Sequence, residues 1–232
     1  MKGIKVNFFV KAMCLCLCWP LFGLAQSSTP ATGDIKIQVW NELRGEKLEA
    51  LQLKGDVTRG AEAFQPCQGC HRRGAVGSPS GLYPRLAGQH ATVLVEQIAD
   101  IRAGKRVNPT MAPFSDEHVL TTQEIADIAA YLQSLPARSL PEARGPGRAL
   151  DRGGKLYGTD CVVCHGNRGE GDSRKFMPLI AGQHYQYLIR EMVLIRDGKR
   201  GNANPDMVKA IGAYGSDDIE AVADYISRLM PH

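Results

Sequence analysis

The pentapeptide Cys67-Gln68-Gly69-Cys70-His71 returns 94 residues later as Cys161-Val162-Val163-Cys164-His165. No other feature limits so sharply what this chain can fold around. Two thiols three positions apart can each add to a vinyl group of a porphyrin, and the histidine after the second is then held beside the iron. Zinc binding is the competing use of such residues. Duplication within a longer repeat, in a chain that carries export signals, favours haem. The sequence therefore predicts two covalently bound haem c groups. Cys67, Cys70, Cys161 and Cys164 are the expected attachment points, and His71 and His165 the expected iron ligands on one face.

Residues 1–25 read as a cleaved signal peptide. Lys2, Lys5 and Lys11 form a basic start, Met13 to Leu24 is apolar, and Gly23-Leu24-Ala25 offers a cut before Gln26. The apolar run also contains Pro20 and falls short of the roughly 20 residues a membrane span needs. The expected destination is the periplasm. Removal of the signal takes away Cys14, Cys16 and Cys18, so the remaining four cysteines all lie in the pentapeptides. It also lowers the formal charge from +4 to +1, which gives no support for nucleic-acid binding. With aromatics at only 6%, a buried porphyrin would supply the bulk that a small helical domain lacks.

The repeat sets the organisation. A helical arm over 26–55 precedes domain 1 (56–136), a linker (137–148) and domain 2 (149–232). Ile35, Val39, Leu43, Leu48 and Leu51 recur at helical spacing from Asp34 to Lys54, interrupted at Gly45. Trp40 is placed to dock this arm onto the first domain. Within the repeats, Arg59-Gly60 is answered by Arg152-Gly153, and the segment from Tyr83 to His90 by Met177 to His184. Asn108-Pro109-Thr110-Met111 is answered by Asn204-Pro205-Asp206-Met207. Thr121 with Glu124 can cap a last helix in the first repeat, and Ser216-Asp217-Asp218 starts one in the second. Pro136, Pro141, Gly145, Pro146 and Gly147 mark the linker. The expected fold class is all-α, with two similar helical domains in tandem.

The opposite face of each iron is assigned to Met111 and Met207, which follow the haem histidines by 40 and 42 residues. Each is expected in a non-helical, proline-bearing segment that aims the thioether, a neutral ligand that raises the reduction potential. A lone methionine is ordinarily core filler, but the repeated Asn-Pro-x-Met context favours ligation. Met177 aligns with Tyr83 and reads as packing. His90 and His184 are the rival ligands, and at helix openings they read better as exposed or backbone-bonded. His118 and His232 read as solvated. Carbonyls of Pro84 and Pro178 can accept from the haem histidines and fix their tautomer. Tyr83, Leu86, Leu94 and Ile98, with Ile180, Leu188 and Met192, are expected to wall the haem crevices. Arg72-Arg73, Lys105-Arg106 and Lys199-Arg200 read as a solvated face rather than a partner-steering one.

Together the two Cys-x-x-Cys-His motifs, the paired Pro-x-x-Ala-Gly-Gln-His segments and the paired Asn-Pro-x-Met segments resemble the cytochrome c4 family, over about Val57 to Leu229. The resemblance implies two cytochrome c-like domains, each wrapped round one covalently bound haem and related by a pseudo-twofold axis. It implies His/Met ligation at both irons and electron delivery to membrane-bound or periplasmic oxidases, reductases or dehydrogenases. The arm lies outside the family pattern. The expectation is a monomeric electron carrier with redox partner proteins, no small-molecule substrate and no catalytic residues. The alternative is a di-haem redox enzyme, peroxidase or thiosulfate dehydrogenase-like, with one open or displaceable haem ligand.

Overall fold

The computed structural model describes residues 40–230, and both repeats belong to one compact unit. The expected signal peptide, residues 26–39 of the arm and His232 lie outside the described residues. Ten α-helices are present among the described residues, together with short 3-10 turns, one π-turn and no strand; the extended backbone meets only in an isolated bridge between Asp172 and Met177.

The first domain is built from α2 (Val57–Ala63), α3 (Gln68–His71), α4 (Ala91–Arg102) and α5 (Thr122–Ser134). Its second-half counterparts are α6 (Leu150–Leu156), α7 (Val162–His165), α8 (Tyr185–Arg196) and α10 (Ser216–Arg228), with α9 (Pro205–Ile211) added before the last helix. Asp56 accepts from Arg59 N–H to cap α2, and Thr121 forms a full capping box with Glu124 at α5. Each domain closes where its first helix crosses its last. Gly60 lies against Asp127 of α5 and Gly153 against Ala221 of α10; a Cβ at either glycine would fall 2.0 Å or 2.1 Å from the facing carbonyl oxygen. Around these crossings lie Phe64, Ile125, Ile128 and Leu132 in one core, and Tyr157, Ile219, Val222 and Ile226 in the other.

Two features add detail to the expectations and one corrects them. Among the described residues the arm helix α1 spans Gly45–Gln52: Gly45 takes a left-handed φ of 55°, and the chain at 40–41 turns. Trp40 is half-buried and lines a cavity to which both domains contribute. Second, the segment between the domains is strapped to α10: Ala143 and Gly145 are buried, and Gly145 N–H donates to Ser227 Oγ at 3.3 Å. Third, Met207 lies inside α9, with Asn204 capping and Pro205 in the first turn. Asn-Pro is a helix-start signal, and nothing after it in the second repeat stops the helix. In the first repeat Pro113 follows two residues after Met111, so only a turn and a 3-10 helix (Ala112–Phe114) form.

Alanine at Gly60 or Gly153 gains up to about 1 kcal/mol of helix propensity, but the clash is with backbone that cannot move aside. Each of Gly60→Ala and Gly153→Ala is expected to lower unfolding free energy by about 1–3 kcal/mol in denaturant titrations. Gly158→Ala, where the added methyl meets nothing within 4 Å, serves as the neutral control.

Candidate haem sites

Each pentapeptide folds as one short helical turn that brings its histidine inward. His71 is 8% and His165 7% exposed. His165 Nδ1 lies 3.1 Å from the Pro178 carbonyl oxygen, and His71 Nδ1 lies 3.5 Å from that of Pro84. A carbonyl accepts only from a protonated ring nitrogen, so the contact fixes the tautomer and leaves Nε2 as the free base. Burial lowers both imidazole pKa values against the opposing pull of that hydrogen bond, which keeps the rings neutral. Tyr83 stands edge-on to His71 at 6.0 Å between centroids.

The second repeat carries one more residue before its first cysteine, and the insertion is absorbed as a π-turn over Tyr157–Cys161. Tyr157 Oη donates to Gly166 O at 2.6 Å and Tyr214 Oη to Asp160 at 2.7 Å, anchoring the turn from both sides. Sequence reasoning missed both tyrosines; their counterparts, Phe64 and Leu120, have no hydroxyl to signal the role. Burial pushes the Cys161 thiol up to about 12 and also raises Cys67. No group of three or more His, Cys, Asp or Glu is placed to hold a metal ion among the described residues.

A cavity of about 300 Å³ is lined by Cys161, Cys164, His165 and Met207, with Ile180, Leu188, Met192 and Ile195 as apolar wall. The structure thus brings the whole expected second-site set together, and Met177 lines the same space. Leu86, Val93 and Leu94 reach into it from the first domain. In the first site His71 is buried beside Phe64 and Tyr83. Met111 is half-buried in the turn after Asn108, whose carbonyl and side chain both accept its N–H at 3.1 Å. Arg102 of α4 fixes the far end of that loop by donating to the carbonyls of Ser115 and Leu120; its counterpart Arg196 donates to Tyr214 O at 3.2 Å. Paired thiols on one turn, an oriented neutral imidazole and an apolar cavity fit a covalently held haem.

Between the sites, each half grips the other. Gln89 donates to Leu179 O at 3.0 Å and accepts from Leu179 N–H at 2.9 Å; Gln183 makes the same two bonds to Arg85 at 3.0 Å and 2.9 Å. Leu179 and Arg85 directly follow the prolines that orient the haem histidines. His90 and His184 are helix N-caps whose Nε2 atoms donate across the interface to Glu170 O and Val76 O, each at 2.8 Å. Both are thus backbone-bonded, and His118 is exposed, as expected. The basic doublets divide. Lys105, Lys199, Arg72 and Arg73 face water, but Arg106 and Arg200 turn inward to Glu191, at 3.1 Å and 3.0 Å. A solvated reading of those two arginines does not hold, because Gln97 of α4 and Glu191 of α8 each accept from both, one partner in its own half and one in the other.

The cytochrome c family model matches residues 57–136 and 150–230. A thiosulfate dehydrogenase electron acceptor of Stutzerimonas stutzeri is 35% identical over 176 residues, 72% of this chain and 80% of that one. Cytochrome c4 of Pseudomonas aeruginosa is 35% identical over 183 residues, 75% of this chain and 89% of that one. This chain belongs to the cytochrome c4 family. The crystal structure of reduced cytochrome c4 from Pseudomonas stutzeri superposes with a TM-score of 0.68 at 27% identity, covering 76% of this chain and 100% of the other. Two tandem cytochrome c domains of this type carry two covalent haem c groups, and the chain is a di-haem electron carrier of the c4 kind with redox protein partners.

Glu96 of α4 lines the shared cavity, is 2% exposed and accepts from Gln97 at 3.0 Å. Burial pushes its carboxyl up to about 7, against the pull of Lys47 and Arg200 and with help from Asp100. The folded state therefore holds this proton more tightly than the unfolded chain does. That contribution is full below about pH 4.5 and is lost as pH rises through about 7. Denaturation of the haem-loaded protein at pH 5 and pH 8 is expected to show a loss of up to about 3 kcal/mol from this group. Glu96→Gln should remove that share of the pH slope.

Proposed function

We propose that the mature chain works in the periplasm, passing single electrons from a dehydrogenase or other respiratory donor to a terminal oxidase or reductase. Cys67, Cys70, Cys161 and Cys164 attach the haems, His71 and His165 ligate one face of each iron, and Met111 and Met207 the other. The carrying observation is the double occurrence of a buried histidine with its Nδ1 turned to a proline carbonyl, in two halves locked by reciprocal hydrogen bonds.

The haem supplies the reversible one-electron change. The chain holds each imidazole neutral and oriented, excludes water and fixes one site against the other. Met207 lines the cavity that holds His165, in support of its role. His90 and His184 each commit Nε2 to a carbonyl of the opposite domain, which disfavours ligation by histidine on both faces. A relative named for accepting electrons from thiosulfate dehydrogenase supports a dehydrogenase as donor. Among the described residues no helix is long and apolar enough to cross a membrane. The N-terminal basic and apolar run supports export.

The test is the weak long-wavelength band of ferric haem that reports methionine–iron bonding. The wild type is expected to show intensity for two such bonds and no binding of low cyanide. Met111→Ala and Met207→Ala should each remove half the band and lower one reduction potential. A wild type with one bond and one cyanide-binding iron would overturn the carrier reading in favour of a di-haem redox enzyme. The unlike settings of Met111 and Met207 make the second site the place to look.

A further inference from the structure

From the proximal proline to the histidine that opens the next helix the two halves differ at two positions: conservatively at Leu86 and Ile180, and in charge where Arg85 in the first repeat is Leu179 in the second. Arg85 is 2% exposed. Its guanidinium donates to the carbonyls of Ala181 at 2.8 Å, Gly182 at 3.3 Å and Arg138 at 3.4 Å, while Nε has no partner. No salt bridge reaches it among the described residues. A buried cation held only by carbonyl dipoles is costly. Burial accordingly lowers its pKa to about 10, which still leaves it charged at neutral pH.

Its position gives that cost a use. Arg85 is bonded to Pro84, whose carbonyl faces His71 Nδ1 at 3.5 Å, so its backbone adjoins the group that orients the first haem histidine. The same side chain lines the cavity formed by Cys161, His165 and Met207 of the second site. Gln183 grips its backbone through both N–H and C=O, and the carbonyls of Ala181 and Gly182 hold the guanidinium away from water.

We propose that Arg85 is a potential-setting residue whose single buried charge favours the ferrous state of both irons. When a donor protein passes one electron to a ferric iron, that site becomes one unit less positive. A fixed cation nearby, in a medium of low dielectric, stabilises the reduced product over the oxidised one. The proposal rests on both irons being redox-active haems, which the methionine–iron band tests separately.

The experiment is optical spectroelectrochemistry of the haem-loaded protein and three variants. Arg85→Gln retains hydrogen-bonding capacity without charge, Arg85→Leu installs the residue of the other repeat, and Arg85→Lys retains the charge. Both potentials of the Gln and Leu variants are expected to fall, changing the ferrous-to-ferric ratio at a fixed ambient potential about tenfold, or about 59 mV. The Lys variant should stay near wild type. Wild-type potentials in the Gln variant, with both methionine–iron bands intact, would overturn the proposal and leave the carrier reading standing. Equal falls in the Lys and Gln variants would also overturn it, by assigning the effect to packing. If the Leu variant does not hold haem, the Gln–Lys comparison decides. Loss of haem from all three would make Arg85 a structural anchor and end the proposal.

Discussion

The contact on which the arrangement depends is the two-point grip of a glutamine amide on the backbone of the opposite domain. Gln89 holds Leu179 and Gln183 holds Arg85, each through both a donor and an acceptor. Buried backbone N–H and C=O groups must find partners, and at these two residues the partner belongs to the other half. The gripped residue is covalently next to the proline whose carbonyl faces the haem histidine. Interface geometry and ligand geometry are therefore settled by the same few atoms. Ala87 and Ala181 extend the network by donating to Ala75 O and Gly169 O within their own halves, and Gly88 and Gly182 reach Leu132 O and Ile226 O on the last helices. The glycines take φ of 75° and 62°, values that a side chain would resist. The motif Pro-x-x-Ala-Gly-Gln-His thus has a task for nearly every position.

On that shared frame the halves diverge where the frame leaves freedom. One inserted residue becomes a π-turn with two tyrosine hydroxyls to hold it, instead of displacing Cys161 from His165. A proline placed after Met111 and absent after Met207 decides whether a helix can grow. The core crossings, by contrast, admit no variation of this kind: glycine occupies both, because the helices meet backbone to backbone. Divergence has collected at the ligand loops and the interface, where it alters the surroundings of each iron without disturbing the fold.

Much of the fold was legible because its signals are local or periodic. The pentapeptides, the Thr121–Glu124 cap and the repeat itself need no knowledge of distant residues. What escaped reading depends on partners far away in sequence. Lys105-Arg106 and Lys199-Arg200 look like surface doublets until Glu191 and Gln97 are seen between their arginines. Lys47 looks like a solvated arm residue, yet it is 5% exposed and lies 2.7 Å from Asp100. Its helix covers α4, so the arm is part of the packing of the first domain. His90 and His184 were correctly placed at helix starts, but that they bond across the interface was not visible in either repeat alone.

The interface is strongly polar, and stability does not explain that choice. Burying Arg106, Arg200, Glu191 and Asp100 costs desolvation that apolar side chains of similar volume would avoid. An apolar interface, however, is tolerant of sliding, whereas hydrogen bonds and ion pairs hold only within narrow limits of distance and angle. Electron transfer between two centres weakens steeply with their separation, so two domains that rocked against each other would pass electrons unevenly. The segment joining the domains is itself tied down on α10 through Gly145 and Ser227, so it adds no slack. A carrier with two centres gains from one fixed separation more than from a deeper energy minimum. Here the polar contacts, in mirrored pairs at Gln89 and Gln183 and at His90 and His184, allow only one registry of the two halves.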